Sequence, residues 1–209
     1  MVLVEDQVGR RRKVDRLTGD EREAAVFQTL ERVLEVKSFD EVTVMDLASG
    51  AGLSRSSFYF YFASKEEVLV ALLKRLVKEA LEAGDEAQRR LAGETGPWWR
   101  ELIAAHHEVY LRRPRIVLAA FDAQSWNPEV RRVMEEMHTY RVRRAAEVID
   151  RVRGSREPAN GLSAHQAAVV LIAMNEEVLH SSLRKDAVAL DPEEALTALG
   201  VVWAQIVGA

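Results

Sequence analysis

Apolar side chains recur along almost the whole chain at three- and four-residue spacing, the period of an amphipathic α-helix, and no stretch competes with the two-residue period of a strand. Helix start signals are frequent. Asp20 precedes the periodic positions Ala24, Phe27, Leu30, Val33 and Leu34, and Thr43 with Asp46, Ser64 with Glu67 and Ser163 with Gln166 each have the spacing of a capping box. Asn127-Pro128 and Asp191-Pro192 place a capping side chain before a proline at the first helical position, where the missing N–H costs nothing. Gly96-Pro97 and Pro114 mark two further starts, and the segment from Gly154 to Gly161 reads as a loop.

These signals predict an all-α chain of about nine helices, near 20–36, 44–51, 55–61, 65–91, 97–111, 115–123, 128–153, 163–183 and 192–207. The first three are short and tightly connected and the later ones long, so the expected architecture is a small N-terminal head on a larger C-terminal helical bundle. The corresponding division is a disordered basic arm at 1–17, a helix-turn-helix domain at 18–64 and a ligand-binding and dimerisation domain at 65–209.

The stretch from Thr43 to Leu69, TVMDLASGAGLSRSSFYFYFASKEEVL, gives the head its chemistry. Two short helices flank Gly50-Ala51-Gly52-Leu53, where small residues allow close approach and glycine allows the positive φ of a sharp turn. Val44, Leu47 and Ala48 face inward, Leu53 plugs the turn, and Phe58 and Phe62, four apart, share the buried face of the second helix. Arg55, Ser56, Ser57, Tyr59 and Tyr61 then point outward, and Phe60 lies between the two faces. Hydroxyls at a helix start followed by tyrosines suit major-groove docking, with Lys65 reaching a flanking phosphate.

Charge refines this picture without changing it. The net charge of −4 argues against a protein that coats nucleic acid indiscriminately, but residues 50–65 hold Arg55 and Lys65 and no acid, and Arg10, Arg11, Arg12 and Lys13 form a basic run that could follow phosphates or simply solubilise a tail. The chain has no cysteine, which excludes disulfides, thiolate metal sites and a cysteine nucleophile. No apolar run reaches the length of a membrane span and no secretory signal follows Met1, so a cytoplasmic, soluble protein with no membrane partner is expected.

The head resembles that of the TetR family of one-component regulators: Leu47-Ala48, Ala51-Gly52-Leu53-Ser54, Phe58-Tyr59-Phe60-Tyr61-Phe62 and Lys65 stand where the family carries its leucine-alanine pair, its turn, its aromatic run and its lysine. Within the family, Leu171 to Glu176 and Trp203 are similar to the EthR-like repressors. The resemblance implies operator contacts by Ser54, Arg55, Ser56, Ser57, Tyr59, Phe60 and Tyr61, with Thr43 and Lys65 on phosphates. Arg55 is the strongest candidate for a base contact, because a guanidinium can bond guanine O6 and N7 together.

In the larger domain Trp98, Trp99, Tyr110, Phe121, Trp126, Trp203, Met134 and Met137 gather on bundle helices, and Asn175 interrupts an apolar one. An apolar wall with few polar groups suits a ligand cavity, although the same stripe suits an ordinary core. The resemblance places a small hydrophobic or amphipathic effector against Trp99, Ile103, His106, Tyr110, Met134, Met137, His138, Arg141, Asn175, Leu179, His180 and Trp203. His106, His138, Arg141 and His180 are more polar than the EthR-like pattern, which points to a more polar cavity or an anionic effector.

The last two helices carry apolar side chains on more than one face, and the resemblance makes them the homodimer interface, with twofold symmetry reading a pseudo-palindromic operator. The long fourth helix joins head to cavity, with Gly84 as a soft point in it. The function expected is a repressor released from DNA by its effector; a TetR-like activator or a helical adaptor without an effector is the alternative. An enzyme is disfavoured. His106-His107 are adjacent and diverge by about 100° on a helix, so they cannot share one ion, and no nucleophile elbow, phosphate loop or dinucleotide fingerprint is present. No cofactor and no metal is called for.

Overall fold

The computed structural model describes residues 18–91, 99–155 and 161–208. Among them the chain forms α1 (Gly19–Leu34), a 3-10 turn (Phe39–Glu41), α2 (Val44–Gly50), α3 (Arg55–Phe58), α4 (Lys65–Leu91), α5 (Trp99–Leu111), α6 (Pro114–Ala123), α7 (Pro128–Arg153), α8 (Ala164–Arg184) and α9 (Pro192–Val207), with no strand. None of the described helices is long and apolar enough to cross a membrane. The expected basic arm, the Gly96-Pro97 start, Trp98 and the centre of the 154–161 loop lie outside the described residues.

The capping chemistry works largely as the spacing predicts. Thr43 and Ser163 form complete boxes with Asp46 and Gln166, Asn127 accepts from Val130 N–H, and Asp191 accepts from the N–H groups of Glu193 and Glu194, with proline first in α6, α7 and α9. Two details differ. The cap of α1 is Thr18, boxed with Glu21, and Asp20 sits in the first turn instead, where its charge favours the helix dipole. Ser64 caps Glu67 N–H, but the Glu67 carboxylate reaches back to Ala63 N–H instead of Ser64.

In the head, α1, α2 and α3 close around Val26, Leu30, Leu47 and Phe58, all fully buried, and Phe27 meets Phe62 edge-on with ring centroids 5.5 Å apart. The second helix of the motif is shorter than the pattern suggests. Regular helix stops at Phe58, and residues 59–61 continue as turn. Gly50 lets α2 lie against α1: a Cβ there would overlap the Thr29 methyl, and Arg32 clasps the junction by donating to Thr29 Oγ1 at 3.0 Å and Gly50 O at 3.1 Å.

Two buried clusters organise the rest. One runs from the head through Val68, Leu69, Leu72, Leu73 and Leu76 of α4 into α6 and the first half of α7; the other joins α5, the second half of α7, α8 and α9 around Trp99, Ile149, Leu171 and Trp203. The far end of the second cluster is tied by Arg153, whose guanidinium donates to the carbonyls of Leu162, Ile206 and Val207, placing a cation on the negative end of α9. On α8 and α9, Ala167, Leu171, Leu196, Leu199 and Trp203 turn into this core, while Val169, Val170 and Val201 remain exposed.

The α1–α2 junction should therefore be sensitive to a single methyl. Gly50→Ala should destabilise the protein by about 1–3 kcal/mol through overpacking, and adding Thr29→Ser, which removes the opposing methyl and keeps the hydroxyl, should recover a substantial part. Urea denaturation of the two variants against wild type checks this.

Candidate DNA-recognition head and effector cavity

The turn between α2 and α3 depends on Gly52, at φ +69°, a conformation that side chains with a Cβ rarely adopt, and Leu53 N–H closes it onto Ala48 O at 2.8 Å. Ser54 then caps α3, its Oγ accepting from Ser57 N–H at 3.1 Å and lying 3.0 and 2.8 Å from the hydroxyls of Ser56 and Ser57. This hydroxyl cluster sits at the exposed start of the helix. Arg55, Ser56, Tyr59 and Phe60 are exposed beside it, with Arg55 donating to Tyr59 Oη at 3.4 Å and its guanidinium 5.8 Å from that ring. Phe60, whose face the helical pattern leaves open, is 83% exposed.

Three predicted contacts are placed less freely. Tyr61 is half-buried and its hydroxyl accepts from Arg22 Nη1 at 3.1 Å, because the turn after Phe58 rotates it back toward α1. Lys65 Nζ donates to the carbonyls of Phe39 and Asp40, each at 2.9 Å, and lies 4.9 Å from the Phe39 ring, so it binds the 3-10 turn to α4 and keeps one N–H to spare. Thr43 is exposed but its hydroxyl donates to Asp46, whose carboxyl is held down at about 2 by that bond and by Lys37.

Between α4, α5, α7, α8 and α9 lies a cavity of about 70 Å³ bordered by five of the predicted residues, Ile103, His106, Arg141, Asn175 and Trp203. A smaller one of about 20 Å³, between α4, α5, α6, α7 and α8, is bordered by Tyr110, Met134, Met137 and Leu179. Arg141 borders both. His138 lies on a surface groove beyond Met134 and Met137. The expected single pocket is thus divided, and two of its predicted residues border none of these spaces: Trp99 is fully buried against Trp203 at 5.2 Å, and His180 stacks on Phe121 at 4.0 Å.

The polar side chains of the cavity wall are linked to one another. Arg141 is ion-paired with Glu176, which also takes His138 Nδ1 at 2.9 Å; Arg144 donates to Asp85 at 3.2 Å, Gln88 at 2.7 Å and Glu147 at 2.7 Å; Tyr140 donates to Asp85 at 3.3 Å. Asn175 Oδ1 accepts from the Trp203 indole at 3.1 Å. His106 Nδ1 lies 3.0 Å from Leu102 O, and its ring packs directly over Gly84, where a Cβ would overlap it. Gly84 consequently serves close packing of α4 on α5. α4 runs unbroken through it. Burial pushes the pKa of His106 down and that of His107 down to about 4, so both imidazoles are neutral near pH 7.

The model of bacterial regulatory proteins of the tetR family matches residues 28–72, and the model of the C-terminal domain of the transcriptional regulator EthR matches residues 99–208. The HTH-type transcriptional regulator EthR of Mycobacterium tuberculosis is 33% identical over 199 residues, covering 93% of this chain and 90% of that protein; that of Mycolicibacterium smegmatis is 32% identical over 194 residues, covering 93% and 89%. The chain belongs to the TetR family. It is an EthR-like, DNA-binding transcriptional regulator, and the fold agrees: a TetR transcription regulator from Haloarcula marismortui superposes with a TM-score of 0.70 at 13% identity over 90% of this chain and 97% of that one, and a Rhodococcus transcriptional regulator with 0.68 at 18% identity over 90% and 95%.

Sequence patterning missed the share of the larger cavity built by α4, namely Leu81, Gly84, Asp85 and Gln88, together with His107 and Arg144. Arg144 lies three residues after Arg141, one helical turn on, and Asp85 and Gln88 have the same spacing on α4, so a facing pair of polar i, i+3 steps was the available signal. No group of three or more metal-ligating side chains occurs among the described residues.

His107 makes stability depend on pH with a definite sign. Its pKa is about 4 folded against 6.5 unfolded, so the unfolded chain binds more protons between those values and stability falls as pH falls through that window. The full effect is about 3 kcal/mol, present above pH 6.5. Denaturation midpoints at matched pH values should fall less steeply for His107→Gln than for wild type between pH 6.5 and 4.

Proposed function

We propose that this protein is a homodimeric repressor that is released from a pseudo-palindromic operator when a small molecule occupies the body. Residues 18–64 would form the DNA-binding unit and 65–209 the effector-binding and dimerisation unit. The observation that carries the reading is the exposed, self-capped start of α3, where Ser54, Arg55, Ser56, Tyr59 and Phe60 share one outward patch with no acid among them. Hydroxyls and a guanidinium at a helix start meet base edges, and an exposed ring such as Phe60 suits a thymine methyl. Lys65, Tyr61 and Thr43 would act chiefly by fixing the patch; Lys65 and Tyr61 each keep a donor for a phosphate, whereas the Thr43 hydroxyl and N–H are given to Asp46.

The exposed apolar residues Val169, Val170 and Val201 on the last two helices support a second copy packing there, which would set recognition helices about 34–36 Å apart. TetR regulators act as dimers with small-molecule effectors. For this chain the effector would enter between α4, α5, α7 and α8. A space of about 70 Å³ is far below the ~300 Å³ at which ligand pockets begin, so occupation would push these helices apart. Because α4 borders the cavity and also lies in the core shared with the head, opening one end moves the other, with a coupling of about 1–3 kcal/mol.

Mobility shift against the promoter DNA beside its own gene tests the reading; no shift at moderate salt overturns it. Arg55→Ala should weaken binding to that fragment by about 1–3 kcal/mol and relax its sequence preference. A glutamate at Val170 or Val201 should shift the protein from dimer to monomer in sedimentation analysis and abolish high-affinity binding, since one head alone holds half the contacts.

A further inference from the structure

Two donors in the cavity wall have no acceptor. Arg141 and Arg144, one turn apart on α7, both border the larger cavity, and the Nε–H of each is buried without a hydrogen-bond partner. Their Nη groups are fixed, Arg141 by Glu176 and Arg144 by Asp85, Gln88 and Glu147. A buried donor left unsatisfied is costly, and more so when the group is charged. Among the side chains that border the cavity the charged donors are Arg141 and Arg144, the first paired with Glu176 and the second with Asp85 and Glu147, and the two histidines beside them are neutral.

We propose that the effector is a small organic anion, a carboxylate whose oxygens accept from the Nε–H groups of Arg141 and Arg144 and whose hydrocarbon tail lies against Leu102, Ile103, Ile172 and Trp203. This rests on the effector reading above and narrows it to a ligand class. A carboxylate is acceptor-only and offers about four lone-pair positions, which matches an unmet demand made of donors alone. A cationic ligand is opposed on two counts: the carboxylates nearest the cavity are already taken, Asp85 by Arg144 and Tyr140 and Glu176 by Arg141, and the Trp203 indole is held by Asn175. A neutral alcohol can accept from both donors, but its uncharged oxygen forms weaker bonds with guanidinium N–H groups than a carboxylate does.

The test uses the full chain near neutral pH with three probes of equal tail length, octanoate, octan-1-ol and octyltrimethylammonium, measured by calorimetry and by release of the promoter fragment. Octanoate should bind at least about tenfold more tightly than octanol and release the DNA, and in Arg144→Gln that preference should shrink to below about threefold while octanol binds as before. Where Arg144→Gln does not fold, Arg144→Lys, which keeps the charge but has no Nε–H fork, should lose the same preference. Equal or tighter binding of octanol or the ammonium, with release of DNA, overturns the anion assignment and leaves the effector-controlled repressor standing. If no carboxylate from butanoate to dodecanoate binds while unrelated neutral ligands release the DNA, the anion assignment again falls alone; if DNA is never bound, the repressor reading has failed instead.

Discussion

One helix has to satisfy two cores at once. The first half of α4 buries Val68, Leu69, Leu72, Leu73 and Leu76 in the cluster that also holds Phe58 and Phe62 of the head, and its second half presents Leu81, Gly84, Asp85 and Gln88 to the cavity. At 27 residues the helix is about 40 Å long, and its backbone hydrogen bonds make it stiff over that distance. Close-packed interiors do not deform continuously, so in the proposed switch a displacement at the cavity end would be carried along α4 toward the head. The unbroken passage of α4 through Gly84, with His106 packed on it, is what makes this rigidity available.

The junction between head and body is reinforced away from α4. Arg113, at the start of α6, pairs with Glu31 of α1 at 3.2 Å and Glu79 of α4 at 2.7 Å, and Phe39 stacks near Trp126 at 6.2 Å. Lys65 closes the same region by holding the carbonyls of Phe39 and Asp40. These are partly exposed interactions of modest individual strength. The polar wall of the cavity is different in kind. Its guanidiniums are anchored by carboxylates through their Nη groups, and the Nε–H of each remains without an acceptor.

Much of the helical framework was legible in the sequence. Capping boxes at Thr43 and Ser163, prolines at the starts of α6, α7 and α9, and the Phe58/Phe62 pair are local signals, and the structure places each where the spacing puts it. Failures were local too. The early end of α3 rotated Tyr61 inward, and the choice between Thr18 and Asp20 as cap depended on which side chain could reach a free N–H. The cavity was legible only in part. Ile103, His106, Arg141, Asn175 and Trp203 come together, whereas Tyr110, Met134, Met137 and Leu179 fall in a second space and Trp99 and His180 in neither.

By itself the sequence determined the all-helical class, the positions of the helices and the outward chemistry of the α3 start, because periodicity, capping and turn glycines act over a few residues along one chain. Tertiary structure alone decided that α4 forms a wall of the cavity, that Arg141 divides it, that Gly84 seats His106 where a hinge was expected, and that two guanidinium N–H groups are left without acceptors. Those outcomes depend on which side chains from separate helices meet and which remaining valences they fill, and neither is encoded in the spacing within any one helix.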